Sequence, residues 1–188
     1  MIVIGVTGSI SSGKTTASKI ISFNKGPLFS ADQIVNKLYR TSSFKEIVCK
    51  KFQIQPKSKF KLELKRKIIE KKENLKKLSK IIHPLVRKKM LDFLKNNKNK
   101  KYLFLEIPLL IENRLMKYFD KIIFIKSAKK IRIKRYRLNG GNMNLFSLLN
   151  GQQLKDSKKM NFCDYIVVNN KSLSILKKNL LNIMAIYE

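Results

Sequence analysis

Histidine occurs once in this 188-residue chain, at His83, and cysteine twice, at Cys49 and Cys163, while tryptophan is missing altogether. One histidine and two distant cysteines give neither a metal-ligand spacing nor a disulfide framework, so a zinc-built or disulfide-stapled fold is set aside. No apolar run approaches the ~20 residues that a membrane span requires. The opening Met1-Ile2-Val3-Ile4-Gly5-Val6 is too short, and too uncharged at its start, for a secretory signal. The expectation is a soluble cytoplasmic protein without membrane attachment. Acidic residues are scarce as well: 12 Asp+Glu face 42 Lys+Arg, a formal net charge of +30. Such a surplus makes a phosphate-bearing or polyanionic partner, nucleic acid included, the first class to consider. Yet only seven of the basic residues are arginine, the side chain that reads base edges bidentately, and the lysines are spread along most of the chain. An AT-rich genome would enrich Lys, Asn and Ile in the same way, leaving solvated lysine faces with no role in nucleic-acid recognition.

Hydrophobic residues make up 44% of the chain, enough for one core extending over most of its length. Five short stretches rich in Ile, Val, Leu and Phe read as buried strands: 2–7, 27–31, 102–107, 121–126 and 164–169. They are apolar almost continuously rather than alternately, the pattern of a parallel sheet covered on both faces. Helical spacing appears in 14–23, 128–138 and 172–187, so strand and helix alternate and the class is α/β. The stretch between strands two and three is too long for a structureless crossover. It carries helical patterns at 59–71 and 81–94 and ends in the polar run 95–101, and it reads as an inserted helical subdomain. Gly140-Gly141 marks a flexible point, where a mobile flap is expected. There is no internal repeat.

Two of only seven glycines stand in Gly8-Ser9-Ile10-Ser11-Ser12-Gly13-Lys14-Thr15, which follows a strand and opens a helix. Gly, four residues, then Gly-Lys-Ser/Thr in that context is the phosphate-binding loop. Glycines let backbone amides curl around phosphate oxygens, and the helix amino end adds partial positive charge. Lys14 is placed to reach the β and γ phosphates of ATP, and Thr15 to ligate Mg2+. A phosphate cradle alone does not separate a kinase from other NTPases. The short length, helical insertion and basic flap favour a small-molecule kinase. Asp32 follows strand two, at the sheet edge where a general base could meet an acceptor hydroxyl; Asp before Gln33-Ile34-Val35 is equally a helix start.

The ordered pieces are Thr7-Gly8 through Thr16, Ala31-Asp32, His83-Pro84-Leu85-Val86, Pro108-Leu109-Leu110 with Glu112, Gln153, and Cys163-Asp164 leading to Asn169-Asn170. In that order and spacing the chain resembles the dephospho-coenzyme A kinase family over nearly its full length. The resemblance implies a P-loop three-layer α/β/α fold with a parallel five-stranded sheet, in a single domain spanning 1–188. Its core would be 1–31 and 102–188, its acceptor-binding insertion 32–101, and its helical lid 128–160. It also implies the reaction: ATP, with Mg2+, phosphorylates the ribose 3′-hydroxyl of dephospho-coenzyme A. On that basis Gly8, Ser11, Ser12, Gly13, Lys14, Thr15 and Thr16 bind ATP phosphates, Thr15 holds the metal, and Lys14 and Asp32 are catalytic, Asp32 as base. Arg135 and Arg137 are assigned to ATP from the flap, and Asn169 to its adenine end; Asn ending a strand is otherwise a plain turn former.

This sequence departs from the family pattern in several places. The loop has Ser9 and Ser11 where the family usually has glycine, Ser30 where a second Asp is common, and Glu106 where the carboxylate is often the shorter Asp. Counting four residues on from Arg135, where a lid arginine is expected, gives Asn139, leaving Arg137 or Arg132 to substitute. His83 reads as a hydrogen bonder in a turn entering a helix, and Glu106 as orienting metal-bound water or bonding nearby backbone. No acidic residue lies between Asp120 and Asp156, and 57–101 carries 18 Lys+Arg against four acidic residues, fields that would draw in a triphosphate and a phosphate-rich acceptor. A nucleoside or nucleotide kinase of the same class is the second reading, and a basic nucleic-acid-binding P-loop protein the third. No specific nucleic-acid complex is expected. The sequence sets no oligomeric state, and a monomer is compatible with it.

Overall fold

The structure, a computed structural model, describes residues 1–55 and 59–187; Lys57 of the basic segment lies outside the described residues. The chain divides into two compact units, Met1–Ser30 with Leu94–Glu188, and Ala31–Phe93.

The first unit is built on five parallel strands, β1 (Ile2–Gly8), β2 (Leu28–Ser30), β3 (Tyr102–Glu106), β4 (Lys121–Lys126) and β5 (Tyr165–Val168), in the order β2-β3-β1-β4-β5. The central strands are apolar throughout because both faces are covered. On one face Ile4, Val6, Phe104, Ile123 and Ile125 pack against Ala17 and Ile21 of α1 (Lys14–Ser22) and Leu176, Leu180 and Met184 of α9 (Leu173–Ala185). On the other, Leu103, Leu105, Ile122 and Phe124 are buried as well. The edge strand β5 buries Val167 and exposes Ile166 and Val168, so only there does alternation return. Asp120 and Asp164 each accept a backbone N–H, from Val3 and Ile122, and so close the leading ends of neighbouring strands. Among the described residues no helix is long and apolar enough to cross a membrane.

In the first unit three short helices follow β4: α6 (Lys129–Leu138), α7 (Met143–Gly151) and α8 (Asp156–Met160). Gly140-Gly141 ends α6. Gly140 has φ +70, its N–H donates to Arg137 O at 2.9 Å, and the Gly141 N–H donates to Tyr136 O at 2.9 Å. That pair of reversed bonds is a Schellman cap and satisfies carbonyls α6 would otherwise leave open.

The second unit is helical: α2 (Ala31–Leu38), α3 (Ser42–Phe52), α4 (Phe60–Glu70) and most of α5 (Lys72–Asn96). Its core gathers Phe44, Val48, Phe52, Phe60, Leu64 and Ile68, with Tyr39 set edge-on to Phe44 at 5.3 Å between ring centroids. The turn expected before a helix at His83-Pro84 is instead the middle of α5, which runs through Pro84. The proline removes one backbone bond, but the apolar stripe Leu75, Leu78, Ile82, Val86, Met90 keeps helical spacing across it, and packing of that stripe outweighs the loss. The polar run 95–101 begins inside the same helix. Strand two is shorter than the expected 27–31, because Ala31 already belongs to α2.

Candidate active site

At the carboxyl edge of the sheet β1 runs directly into the phosphate-binding loop. Gly8 leaves the strand so close to β4 that a Cβ would lie 2.4 Å from Ile125 O, and Gly13 has φ +97 with its α-carbon facing the Asn169 amide, 2.2 Å from where a Cβ would stand. Only glycine fits at either place. Gly13 is also the N-cap residue of α1, so the helix amino end opens onto the loop. Between the glycines Ser11 takes φ +57, a left-handed conformation that costs a non-glycine residue of the order of 1–2 kcal/mol. Lys14 is buried, and its Nζ donates to Ser9 O at 2.9 Å, which holds the ammonium against the loop.

Parallel register brings Val6, Ser30 and Glu106 level, Ser30 and Glu106 as the last residues of β2 and β3. Glu106 is buried there and accepts two hydroxyl bonds: Thr15 Oγ donates to Oε1 at 2.6 Å, and Ser30 Oγ to Oε2 at 3.0 Å. Thr15, Ser30 and Glu106 thus act as one hydrogen-bonded arrangement. Ser12 Oγ is buried with no hydrogen-bond partner among the described residues, 2.8 Å from where a Cβ on Gly8 would stand.

Side chains from both flanks hold the loop. Asn169 Nδ2 donates to Ser12 O at 2.8 Å, and Arg135 joins Ser12 O at 3.3 Å to Asn169 O at 3.1 Å. Arg132, almost fully buried, donates to Ile10 O at 3.4 Å and to Asn150 Oδ1 at 2.9 Å. Gln153 Oε1 accepts the Ile10 N–H at 2.9 Å, and the Asp156 carboxylate accepts the Ser9 hydroxyl. Behind these residues Lys159, with no exposed surface, pairs with Glu112 Oε1 at 3.0 Å, the same oxygen that accepts the Leu154 N–H at 3.0 Å. Burial pushes the neighbouring Cys163 thiol up to about 11.

The structure therefore brings together Gly8, Ser11, Ser12, Gly13, Lys14, Thr15, Arg135 and Asn169. Thr16 is exposed in the first turn of α1 and Arg137 is exposed in the last turn of α6. Asp32 is the second residue of α2, exposed, in the helical unit; its charge favours the helix amino end. Ser9–Asp156 and Arg132–Ile10 were not legible beforehand, since their partners are 147 and 122 residues apart. Gln153 and Glu112 carried a signal, through their places in the ordered pieces of the sequence.

The dephospho-CoA kinase family model matches residues 2–174. A dephospho-CoA kinase of Bartonella quintana is 33% identical over 178 residues, covering 92% of this chain and 91% of that protein. Among solved structures, TT1252 from Thermus thermophilus has a TM-score of 0.78 at 23% identity, over 100% of this chain and 98% of that one. Dephospho-CoA kinase from Campylobacter jejuni has a TM-score of 0.67 at 24% identity, over 97% and 95%. These two structural likenesses show the P-loop α/β/α fold, and the family match, with the Bartonella relative, shows the lineage: the chain belongs to the dephospho-CoA kinase family.

Proposed function

We propose that this chain transfers the γ-phosphoryl group of ATP to the ribose 3′-hydroxyl of dephospho-coenzyme A, the last step of coenzyme A synthesis. The observation that carries the reading is the loop at the amino end of α1, with Lys14 folded against it and Thr15 bonded to Glu106 at 2.6 Å. Gly8, Ser11, Ser12, Gly13, Lys14, Thr15 and Thr16 cradle the phosphates. Asn169 and Arg135, already on the loop at Ser12 O, fix its second half beneath the nucleotide. Arg137, exposed, adds charge from the end of α6.

The residues fit magnesium. Hydroxyl and carboxylate oxygens are the hard donors Mg2+ takes, and it commonly uses one or two protein groups and completes its shell with substrate phosphates and water. Thr15 would hold the ion and Glu106 would orient water beside it; an ion bound there would neutralise charge on the phosphates. Lys14 neutralises the transferring group, and Asp32 takes the proton of the attacking hydroxyl. Such a transfer needs positioning and charge more than covalent chemistry, so this short set suffices in kind.

Residues 32–101 form the acceptor-binding insertion and 128–160 the lid, and the protein works in the cytoplasm. The +30 charge gathers phosphate-bearing substrates and forms no sequence-selective complex with nucleic acid. A complex surviving physiological salt at least ~1,000-fold tighter than non-specific binding would contradict that. The kinase reading is tested by mass analysis of products after incubation with Mg2+, ATP and a panel of dephospho-coenzyme A, nucleosides and nucleotides; turnover confined to the nucleosides and nucleotides would refute it.

A further inference from the structure

A phosphate loop usually owes its shape to glycines, and this one has serine at 9 and 11, with Ser11 held at φ +57. Strained backbone persists only where surrounding contacts over-determine it. Besides the Lys14 bond to Ser9 O, the side-chain bonds on the first half of the loop come from residues 150–156 or from Arg132, which that segment holds. Gln153 accepts the Ile10 N–H at 2.9 Å, Asp156 accepts the Ser9 hydroxyl, and Asn150 fixes Arg132, whose guanidinium reaches Ile10 O. The segment is itself moored, since the part-buried Glu112 carboxylate holds the Leu154 N–H and the Lys159 ammonium.

We propose that residues 150–156 form a strap that sets the shape of the phosphate loop from outside, and that Gln153 and Asp156 are positioning residues for ATP. The proposal deepens the kinase reading and rests on it for the identity of the nucleotide. Ser9 gives the strap a side-chain hold on the loop. Its hydroxyl gives Asp156 a donor that glycine could not supply, so backbone freedom lost at position 9 is replaced by a charge-assisted bond to an element 147 residues away. The strap acts on the loop alone, and so on nucleotide affinity, leaving the acceptor unaffected.

The test is equilibrium titration of the full chain with ADP and ATP, with thermal melts confirming that each variant folds. Gln153→Ala should weaken nucleotide binding about five- to tenfold, within the range of one neutral hydrogen bond, and Asp156→Ala ~10-fold or more, that of a charge-assisted one. KM for the acceptor should stay unchanged. Asp156→Asn, which keeps the accepting oxygen, should remain within about twofold of wild type, and in a Ser9→Gly background Asp156→Ala should have no further effect. Ser9→Ala removes the same bond from the loop side and should match Asp156→Ala, which keeps the test decisive if a strap variant fails to fold. Unchanged affinity in Gln153→Ala and Ser9→Ala, or equal weakening by Asp156→Asn and Asp156→Ala, overturns the strap while the kinase reading stands. A wild-type chain that binds neither nucleotide overturns both.

Discussion

Thr15 Oγ donates to Glu106 Oε1 across 2.6 Å, joining the first turn of α1 to the last residue of β3. A hydroxyl and a carboxylate fixed at that distance, at the carboxyl edge of a parallel sheet, are hard oxygen groups of the kind the proposed Mg2+ would meet beside the phosphate loop. Glu106→Gln keeps an acceptor for Thr15 and removes the charge. Turnover should fall by ~10²-fold or more, the scale of one preorganised electrostatic contact. The Mg2+ concentration for half-maximal rate should rise, while metal-free nucleotide binding stays near wild type. A Mg2+ titration of the rate, beside nucleotide titration in a chelator, checks both.

Lys14→Ala and Asp32→Asn should both abolish most turnover, through different quantities. Lys14 is buried against the loop, so its loss should weaken ATP binding as well as the rate. Asp32→Asn should leave ATP affinity within about twofold and lower kcat by ~10²–10⁴, the usual contribution of a general base. Near-normal turnover of Asp32→Asn at saturating substrates would return Asp32 to a helix-start role.

The arginines of α6 should rank by their contacts. Arg135 and Arg132 bond the loop carbonyls of Ser12 and Ile10, whereas Arg137 is exposed. Alanine at Arg135 or Arg132 should cost ~10-fold or more in kcat/KM for ATP, in keeping with hydrogen bonds from a charged donor. Alanine at Arg137 should cost less than about threefold, as expected of a screened surface charge. Equal small losses at all three would mean that α6 acts only through its summed field.

The parts legible in the sequence are those whose signal is local. The run of β1, the spacing of Gly8, Gly13, Lys14 and Thr15, and the apolar spacing of α9 each lie within one short window, and the structure has them there. Interactions that close the loop from outside are not local: nothing near Ser9 points to Asp156, nor near Ile10 to Gln153. Pro84 misled for a related reason, since a proline is read from its own backbone while the stripe from Leu75 to Met90 that carries the helix through it is a matter of packing. At Gly140-Gly141 the permissive backbone was legible, but the commitment of both N–H groups to α6 carbonyls was not.

Cys163 offers a pH test. Burial holds its thiol protonated up to about 11, so the folded state binds a proton that the unfolded chain releases above its ordinary ~8.5. The contribution to stability is fully present below that ordinary value and is lost as pH rises towards 11. Denaturant midpoints should therefore drop between pH 8.5 and 11 in wild type, and drop less in Cys163→Ala. Because the thiolate is the nucleophile, alkylation of native Cys163 at pH 8 should be slow and become fast on unfolding.

The most direct measurement is kcat/KM for dephospho-coenzyme A against adenosine, AMP and deoxyadenosine, with Mg2+ and ATP fixed and Lys14→Ala as control. The account predicts a 3′-phosphorylated product, a preference for dephospho-coenzyme A of at least ~10²-fold, as expected where much of an acceptor is recognised away from the reacting hydroxyl, and loss of the activity in Lys14→Ala. Equal or greater kcat/KM on a nucleoside or nucleotide, or turnover that survives Lys14→Ala, would contradict it.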